Sequence, residues 1–563
     1  MKKILTLLII LVTSIIYTNI SDLPNINFTK IEYVTYSMHS FSDASNNHNR
    51  MPSNCVTVQL QVDYDFMGIL SLDRPTSSNF NGDFSDEIRA HRKERKAETK
   101  QYHKGNNNKV LDLLEKTHYQ DVYVSSYSPF IDVTYDIEYF KRHQDYILEL
   151  FTKNDLFKSV TVLESYKDYE SYIYDAVDDT DLGDVYYNRT KSGLGVTIGI
   201  LDSGIVDVDH SDLQNSVIEV RSHALNFMRS KEHATHMAQI ICGDYGMAPD
   251  ALVLSAGVFG TTITAEVEWM LDNDVDIINM SFGNGNNLGT YDSMSAYVDY
   301  IMSQNYVIVV VAAGNYGESH GLIDNPGLAY NAITVGAVEI NGGCARYSSS
   351  EVDSGPIKPT IGMLGTVELC DDEDNQIQGT SPATALTTGM LSLVIEQYSS
   401  LVVNREQLYA LMCANAVDPM ADVNYTPAVN GFNNMYGAGY FNYGNMIANY
   451  SQSGMTYSSG TVALNAAVYS KQIYLSAGQT LRFSMATIAS SNGTVSGISY
   501  TDYDIMIRNP NGGIEAFANS VDSLIELGIY TAPYSGTYKV DIIQASDRVK
   551  NRDYIGYAYR IYN

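Results

Sequence analysis

GVTIGILDSG (195–204) is the stretch that decides the fold. Its Val, Ile and Leu run on without the polar alternation of a half-exposed strand, so both faces are buried, and it stops at a carboxylate, Asp202, before Ser-Gly. Four runs of the same kind follow: VLSAGVFG (253–260), VDIINMSFG (275–283), VIVVVAAGN (307–315) and AITVGAV (332–338), with helix-length segments between them. Apolar strands alternating with helices predict a parallel sheet covered on both faces, an α/β domain over residues 173–450. Reactive groups in such a sheet collect where strands end and helices begin.

Upstream the pattern changes. VTVQLQVDYD (56–65) alternates like a strand, Asp86 to Lys116 is charged and helix-compatible, and QDVYVSSYS (120–128) and FIDVTYDI (130–137) read as two strands flanking Pro129. EYFKRHQDYILELFTKND (138–155) spaces Tyr139, Tyr146, Ile147 and Leu150 along one helical face, and KSVTVLES (158–165) is strand-like again. The order strand, helix, strand, strand, helix, strand predicts an α+β, ferredoxin-like unit with its core at about 53–166. The basic run HRKERKAETKQYHK (91–104) is expected to be a solvated helix face; the alternative is electrostatic docking against the acidic remainder of the chain. Downstream of 454 the helical signal disappears. QTLRFSMA (479–486), YDIMIRNPNGG (503–513), SLIELGIYTAP (523–533), SGTYKVDII (535–543) and YIGYAYRIY (554–562) predict an antiparallel β-sandwich over 454–563.

MKKILTLLIILVTSIIYTN (1–19) sets Lys2 and Lys3 before an apolar run too short for a membrane span, which predicts a signal peptide over 1–21. A secreted protein follows, with cell-surface attachment as a further option and no membrane span apart from the signal segment. The 563 residues favour two or three domains, and 65 acidic against 35 basic residues give a net charge of −30, which argues against nucleic acid as a partner. Five cysteines are too few and scattered for a disulfide scaffold or a paired zinc site; they read as small apolar residues, with a Cys344–Cys370 bridge left open.

Four short strings carry the chemistry: LDSG at Asp202, HATHMAQII at His233, AAGN at Asn315 and GTSPATA at Ser381. Taken singly each has a plain structural reading: a turn-forming Asp, a packed His, a helix-capping Ser. Together they supply a carboxylate, an imidazole, an amide donor and a hydroxyl, the parts for acyl transfer by an activated serine. GTSPATALTTGMLSLVI (379–395) puts Ser381 at a helix start, where amide donors favour negative charge, and Pro382 is tolerated in a first turn. The His233/His236 pair lacks the glutamate and spacing of a zinc motif, so no metal site is expected from it.

In this order the strings resemble the subtilisin-like serine peptidases over residues 170–449, supported by GMAPDA (246–251), INMSFG (278–283) and PGLAYNAITVGAV (326–338). The resemblance implies a serine endopeptidase acting on polypeptides, with Asp202, His233 and Ser381 as the triad and the Asn315 side chain and Ser381 N–H as oxyanion donors. It implies that Ser281, Phe282 and Gly283 line the cleft, and that Asp324 lies near the base of the pocket for the residue before the cut bond, favouring Lys or Arg; the alternative is an exposed loop Asp. The amino-terminal unit (22–172) resembles the inhibitory propeptides of these enzymes, with processing between about 166 and 176 and Lys167 a candidate. The short stretch from His233 to Met247 leaves no room for the calcium loop of several relatives, so that calcium site is not predicted; no cofactor is required by the resemblance, with calcium elsewhere left open. A monomer is expected. Ala234, Gln239 and Ala385 depart from the family pattern, which keeps open a catalytically impaired binding or adhesion protein on the same scaffold.

Overall fold

The computed structural model describes residues 31–34, 55–63, 85–119, 121–163, 167–168, 190–221, 231–258, 263–285, 289–317, 321–339, 343–350, 352–353, 355–369, 376–418, 431–460, 462–520, 523–547, 549–550 and 552–563. The expected signal peptide, the junction near residue 172 and Cys370 lie outside them.

The amino-terminal unit is built on strands β1 (Ile31–Val34), β2 (Cys55–Val62), β3 (Asp121–Val124), β4 (Phe130–Asp136) and β5 (Phe157–Leu163), in sheet order β1-β5-β2-β4-β3. With helices α1 (Ser85–Asn107) and α2 (Ile137–Thr152), β2 to β5 form the expected ferredoxin-like arrangement, and β1 extends it parallel to β5. The Asp136 carboxylate caps α2 by accepting from Tyr139 N at 2.8 Å. Phe140, Ile147, Leu148 and Phe151 of α2 pack with Val58, Leu60, Val133 and Val160, while Tyr146 is 52% exposed. Of the expected face, Ile147 is in this core and Tyr139 and Leu150 pack against it, so Tyr146 alone departs, and the buried stripe also takes in Phe140 and Phe151. A short strand, β6 (Lys167–Asp168), follows.

The central domain carries an all-parallel sheet in the order β14-β13-β12-β10-β7-β9-β8. Its strands are β7 (Thr197–Asp202), β8 (Val217–Arg221), β9 (Leu252–Gly257), β10 (Ile277–Met280), β12 (Ile308–Ala312), β13 (Ile333–Val338) and β14 (Ile361–Leu364), and β11 (Phe282–Gly283) extends from β10. The five anticipated strands are present; β8 and β14 are additions the sequence pattern did not single out. Helices α3 (Glu232–Cys242), α4 (Ile263–Asp272), α5 (Ser293–Gln304), α6 (Thr380–Gln397) and α7 (Arg405–Asn415) pack around the sheet, and β15 (Thr366–Glu368) pairs with β16 (Gln376–Gln378) just before α6. All residues of α6 from Thr380 to Ile395 are buried, and the hydroxyls of Thr384, Thr387, Thr388 and Ser392 donate to carbonyls of the preceding turn of the helix.

The carboxy-terminal domain is a sandwich of two four-stranded antiparallel sheets, β17-β26-β19-β24 and β18-β25-β22-β23, with a small hairpin of β20 (Ser490–Ser491) and β21 (Ile498–Ser499). These strands are β17 (Ser453–Ser459), β18 (Ala467–Leu475), β19 (Thr480–Ala486), β22 (Tyr503–Arg508), β23 (Ile514–Ala518), β24 (Ile525–Thr531), β25 (Gly536–Gln544) and β26 (Arg552–Tyr562). The sandwich is not a loosely tethered appendage. β19 and β26 pack on α7, and Ile488, Leu524, Leu527 and Ala558 belong to the same apolar core as the central sheet.

One face of the basic run of α1 is docked, which corrects the reading of the run as a solvated helix face, while Lys93 and Lys104 elsewhere on the helix are exposed. Arg92 pairs with Asp276, Lys96 with Asp274 at 2.7 Å and Lys100 with Asp272, all on the central domain. The pattern of charge on α1 cannot reveal this, because the matching carboxylates lie nearly two hundred residues away. Among the described residues no helix is long and apolar enough to cross a membrane. Cys242 and Cys413 are buried free thiols and Cys344 is a partly exposed one.

Candidate active site

The parallel sheet brings the ends of β7, β10 and β12 to one edge. Asp202, the last residue of β7, is fully buried; its Oδ1 accepts from Ser203 N at 2.8 Å and lies 2.8 Å from His233 Nδ1. A carboxylate facing Nδ1 selects the tautomer with the proton there, which leaves Nε2 as the basic nitrogen. His233 is the second residue of α3, whose start is fixed by Thr235 Oγ1 donating to Lys231 O at 2.6 Å while it accepts from Asp207 N at 2.9 Å. Lys231 pairs with Asp207 at 2.9 Å. Ala234 is buried without disturbing the Asp202–His233 contact, whereas Gln239 is 4% exposed and neither amide atom makes a hydrogen bond.

Ser381 is the second residue of α6, which packs against α3. Its Oγ donates to Ser281 O at 3.1 Å, and Ser281 Oγ donates back to Ser381 O at 3.3 Å. Asn279 Nδ2 donates to Ser281 Oγ at 2.9 Å and its Oδ1 accepts from Thr388 Oγ1 at 3.1 Å, so the end of β10 is pinned to α6. Asn315 follows β12. Its Oδ1 accepts from Thr380 N at 2.9 Å and Thr380 Oγ1 at 3.0 Å, which turns its Nδ2 into the open donor: that nitrogen is buried and makes no hydrogen bond. Thr380 thereby orients the amide. The sequence reading passed over both Thr380 and Asn279, since a threonine and a strand asparagine carry no reactive signature of their own.

Ser281, Phe282 and Gly283 run beside this edge. β11 pairs antiparallel with β6 of the amino-terminal unit, Asp168 opposite Phe282 and Lys167 opposite Gly283. Asp324 is 1% exposed, which excludes an exposed loop Asp; its Oδ2 accepts from Gly285 N at 2.9 Å, and Asn284 N donates to Asn325 O at 2.9 Å, so the two loops are joined. The Tyr316 hydroxyl is held above its ordinary pKa by burial and by the nearby Asp324 charge. Among the described residues no three His, Cys, Asp or Glu side chains lie together as metal ligands would.

Residues 193–439 match the Subtilase family, Peptidase S8. The chain carries a subtilase-family domain. The chain is 29% identical to a cuticle-degrading serine protease of Arthrobotrys oligospora, over 37% of this chain and 54% of the relative. It is 28% identical to subtilisin E of Bacillus subtilis, over 38% of this chain and 58% of that protein. The chain thus spans about half the length of these curated relatives. Among solved structures, fervidolysin of Fervidobacterium pennivorans aligns at 17% identity over 77% of this chain and 69% of its own, with a TM-score of 0.44.

Proposed function

We propose that the chain is a secreted serine endopeptidase of the subtilase family, made as a zymogen that its amino-terminal unit holds inactive. The observation that carries the reading is the Asp202–His233 pair at 2.8 Å on one edge of the sheet with Ser381 at a helix start and an unbonded donor on Asn315. In this reading Ser381 Oγ attacks the peptide carbonyl while His233 Nε2 takes its proton, and Asp202 steadies the imidazolium. The developing oxyanion is met by Asn315 Nδ2 and the Ser381 N–H at the positive end of α6. The leaving amine takes the proton from His233, and water then cleaves the acyl-enzyme by the same steps in reverse order. The chemistry uses protein groups alone.

Substrate recognition is read as strand addition along Ser281, Phe282 and Gly283. The pairing of Lys167 and Asp168 with Gly283 and Phe282 supports the inhibitory role: the chain's own segment occupies the edge a peptide would use. Full burial of Ser381 accords with this closed form. Processing is proposed between residues 166 and 176, with Lys167 and the buried Asp324 favouring basic residues before the cut. We take the protein to act as an extracellular monomer.

Fluorophosphonate labelling of the processed protein tests the reading. Wild type is expected to label and to cleave peptides, Ser381→Ala to do neither, and Asn315→Ala to lose about 10²–10³ in kcat while still labelling. A folded, processed wild type that takes no label would favour the impaired-scaffold alternative.

A further inference from the structure

The three ion pairs of α1 follow a geometric rule. Arg92, Lys96 and Lys100 recur every four residues, so they line one face of the helix at intervals of about 6 Å. Their partners Asp276, Asp274 and Asp272 lie at alternate positions in the reverse direction, across the turn from the end of α4 to the start of β10. Backbone contacts reinforce two of the three steps, those of Lys96 and Arg92. Lys96 Nζ donates to Leu271 O at 2.7 Å and Asp272 O at 3.2 Å, the carbonyls at the negative end of α4, and Arg92 Nη2 donates to Val275 O at 2.5 Å. Arg95, 7% exposed, donates through Nε to Gln304 O at 2.6 Å and lies over the Tyr306 ring at 5.5 Å. Arg92 and Asp276 are themselves only 14% and 12% exposed, so this pair is shielded more than an ordinary surface contact.

The position of this ladder matters more than its strength. Asp276 Oδ2 accepts from Thr197 N at 2.9 Å, and Thr197 begins the strand that ends at Asp202. At about 3.3 Å per residue, five steps of β7 separate the ladder from the Asp202 edge by about 17 Å. The ladder therefore grips the amino edge of the sheet, whereas β6 engages β11 at the carboxyl edge.

We propose that Asp272, Asp274 and Asp276, with the carbonyl end of α4, form an exosite that holds the inhibitory domain independently of the substrate cleft. This rests on the zymogen reading for its regulatory meaning. A peptide competing at Ser281, Phe282 and Gly283 displaces only the tail, and the domain stays bound beside the cleft at high effective concentration, ready to re-enter it. Ionic strength, which screens the Lys96 and Lys100 pairs, then weakens the hold on the domain, while substrate sets only the opening of the cleft.

Hydrogen exchange on the full-length Ser381→Ala chain, in which no self-cleavage interferes, tests this. Three forms are compared at 50 mM and 500 mM salt: the parent, a tail-broken Lys167→Pro/Asp168→Pro form that cannot donate to β11, and a ladder-reversed Lys96→Glu/Lys100→Glu form. The tail-broken form is expected to keep protection of 92–104 and 271–276 within twofold of the parent at low salt and to lose at least tenfold at high salt. The ladder-reversed form is expected to lose that protection at both, with β2, β4 and β5 still protected as proof that the domain is folded. Loss of protection at 92–104 on breaking the tail alone, or protection indifferent to salt, overturns the exosite. Failure of wild-type peptidase activity with these exchange results intact would remove the zymogen reading and leave the exosite standing.

Discussion

The central domain has a neighbour on each side, and the two junctions are built from different materials. Towards the amino-terminal unit only Tyr127 and Phe130, among the described residues, join the central apolar core, Phe130 meeting the Tyr297 ring edge-on, and the other contacts are polar: the α1 ladder, Gln59 Nε2 donating to Thr264 Oγ1 at 3.3 Å, His103 Nε2 against the Tyr300 hydroxyl at 2.8 Å, and Glu268 of α4. The buried Glu268 carboxylate accepts from Tyr123 OH at 2.6 Å, Ser126 N at 2.9 Å, Tyr127 N at 3.3 Å and Ser125 Oγ, from the end of β3 and the loop that follows it. Towards the sandwich the junction is a continuation of the core. Arg482, 0% exposed, donates through Nε to Cys413 O at 3.1 Å and through Nη2 to Ala438 O, and pairs with Asp418 at 3.0 Å. Asn331 exchanges two hydrogen bonds with the Ala489 backbone at 2.8 and 3.2 Å. Ions and hydrogen bonds can be traded for water at modest cost, whereas an apolar core cannot. The first junction suits a partner that leaves, and the second a partner that stays.

Arg482→Ala should give the largest effect on this contrast. Two buried carbonyls lose their donor, and a loss of about 3 kcal/mol in thermal unfolding is expected. Lys100→Ala, at a half-exposed pair, should stay within about 1 kcal/mol; equal losses would break the comparison.

The next test uses pH. Burial raises Glu268 from its ordinary value to about 7. A carboxyl raised by docking favours the docked state fully below about 4.5, and that advantage is lost as pH rises through 7. Wild type should therefore lose stability relative to Glu268→Gln between pH 4.5 and 7 and keep that deficit unchanged above 7, as read from the amino-terminal unfolding transition. His103, which burial lowers to about 3, titrates in the opposite sense, but it is present in both proteins and cancels from the difference. A flat difference across this range would mean that Glu268 is equally buried when the unit is undocked.

The smallest effect is expected inside the central domain. Gln239 hides an unbonded amide, so Gln239→Met should raise stability by about 1 kcal/mol and leave both junctions unchanged. A shift in the salt dependence of the α1 contacts in this variant would show that the central domain and its neighbour are coupled.

How much of this was legible depends on where each residue's partner lies. The five core strands and the positions of Asp202, Asn315 and Ser381 at strand ends and a helix start follow from local apolar runs, because a strand buried on both faces writes its own pattern. Arg482 is the counterexample. In QTLRFSMA it reads as the outward residue of a half-exposed strand, yet it is buried because α7 and the segment at Ala438 supply acceptors from elsewhere.

The basic run of α1 fails in the same way. Lys96 looks solvated until Asp274, far along the chain, is folded against it. By itself the sequence determined the three-part architecture and the order of the chemical groups, since apolar periodicity and motif spacing are properties of neighbouring residues. Only the tertiary structure decided that Thr380 turns the Asn315 amide, that β6 lies along β11, and that one flanking domain is held by polar contacts around a small apolar pair, Tyr127 and Phe130, and the other by a broader shared core. Those outcomes depend on which distant surfaces meet, and the free energy of a charge or an amide is set by the partner that faces it.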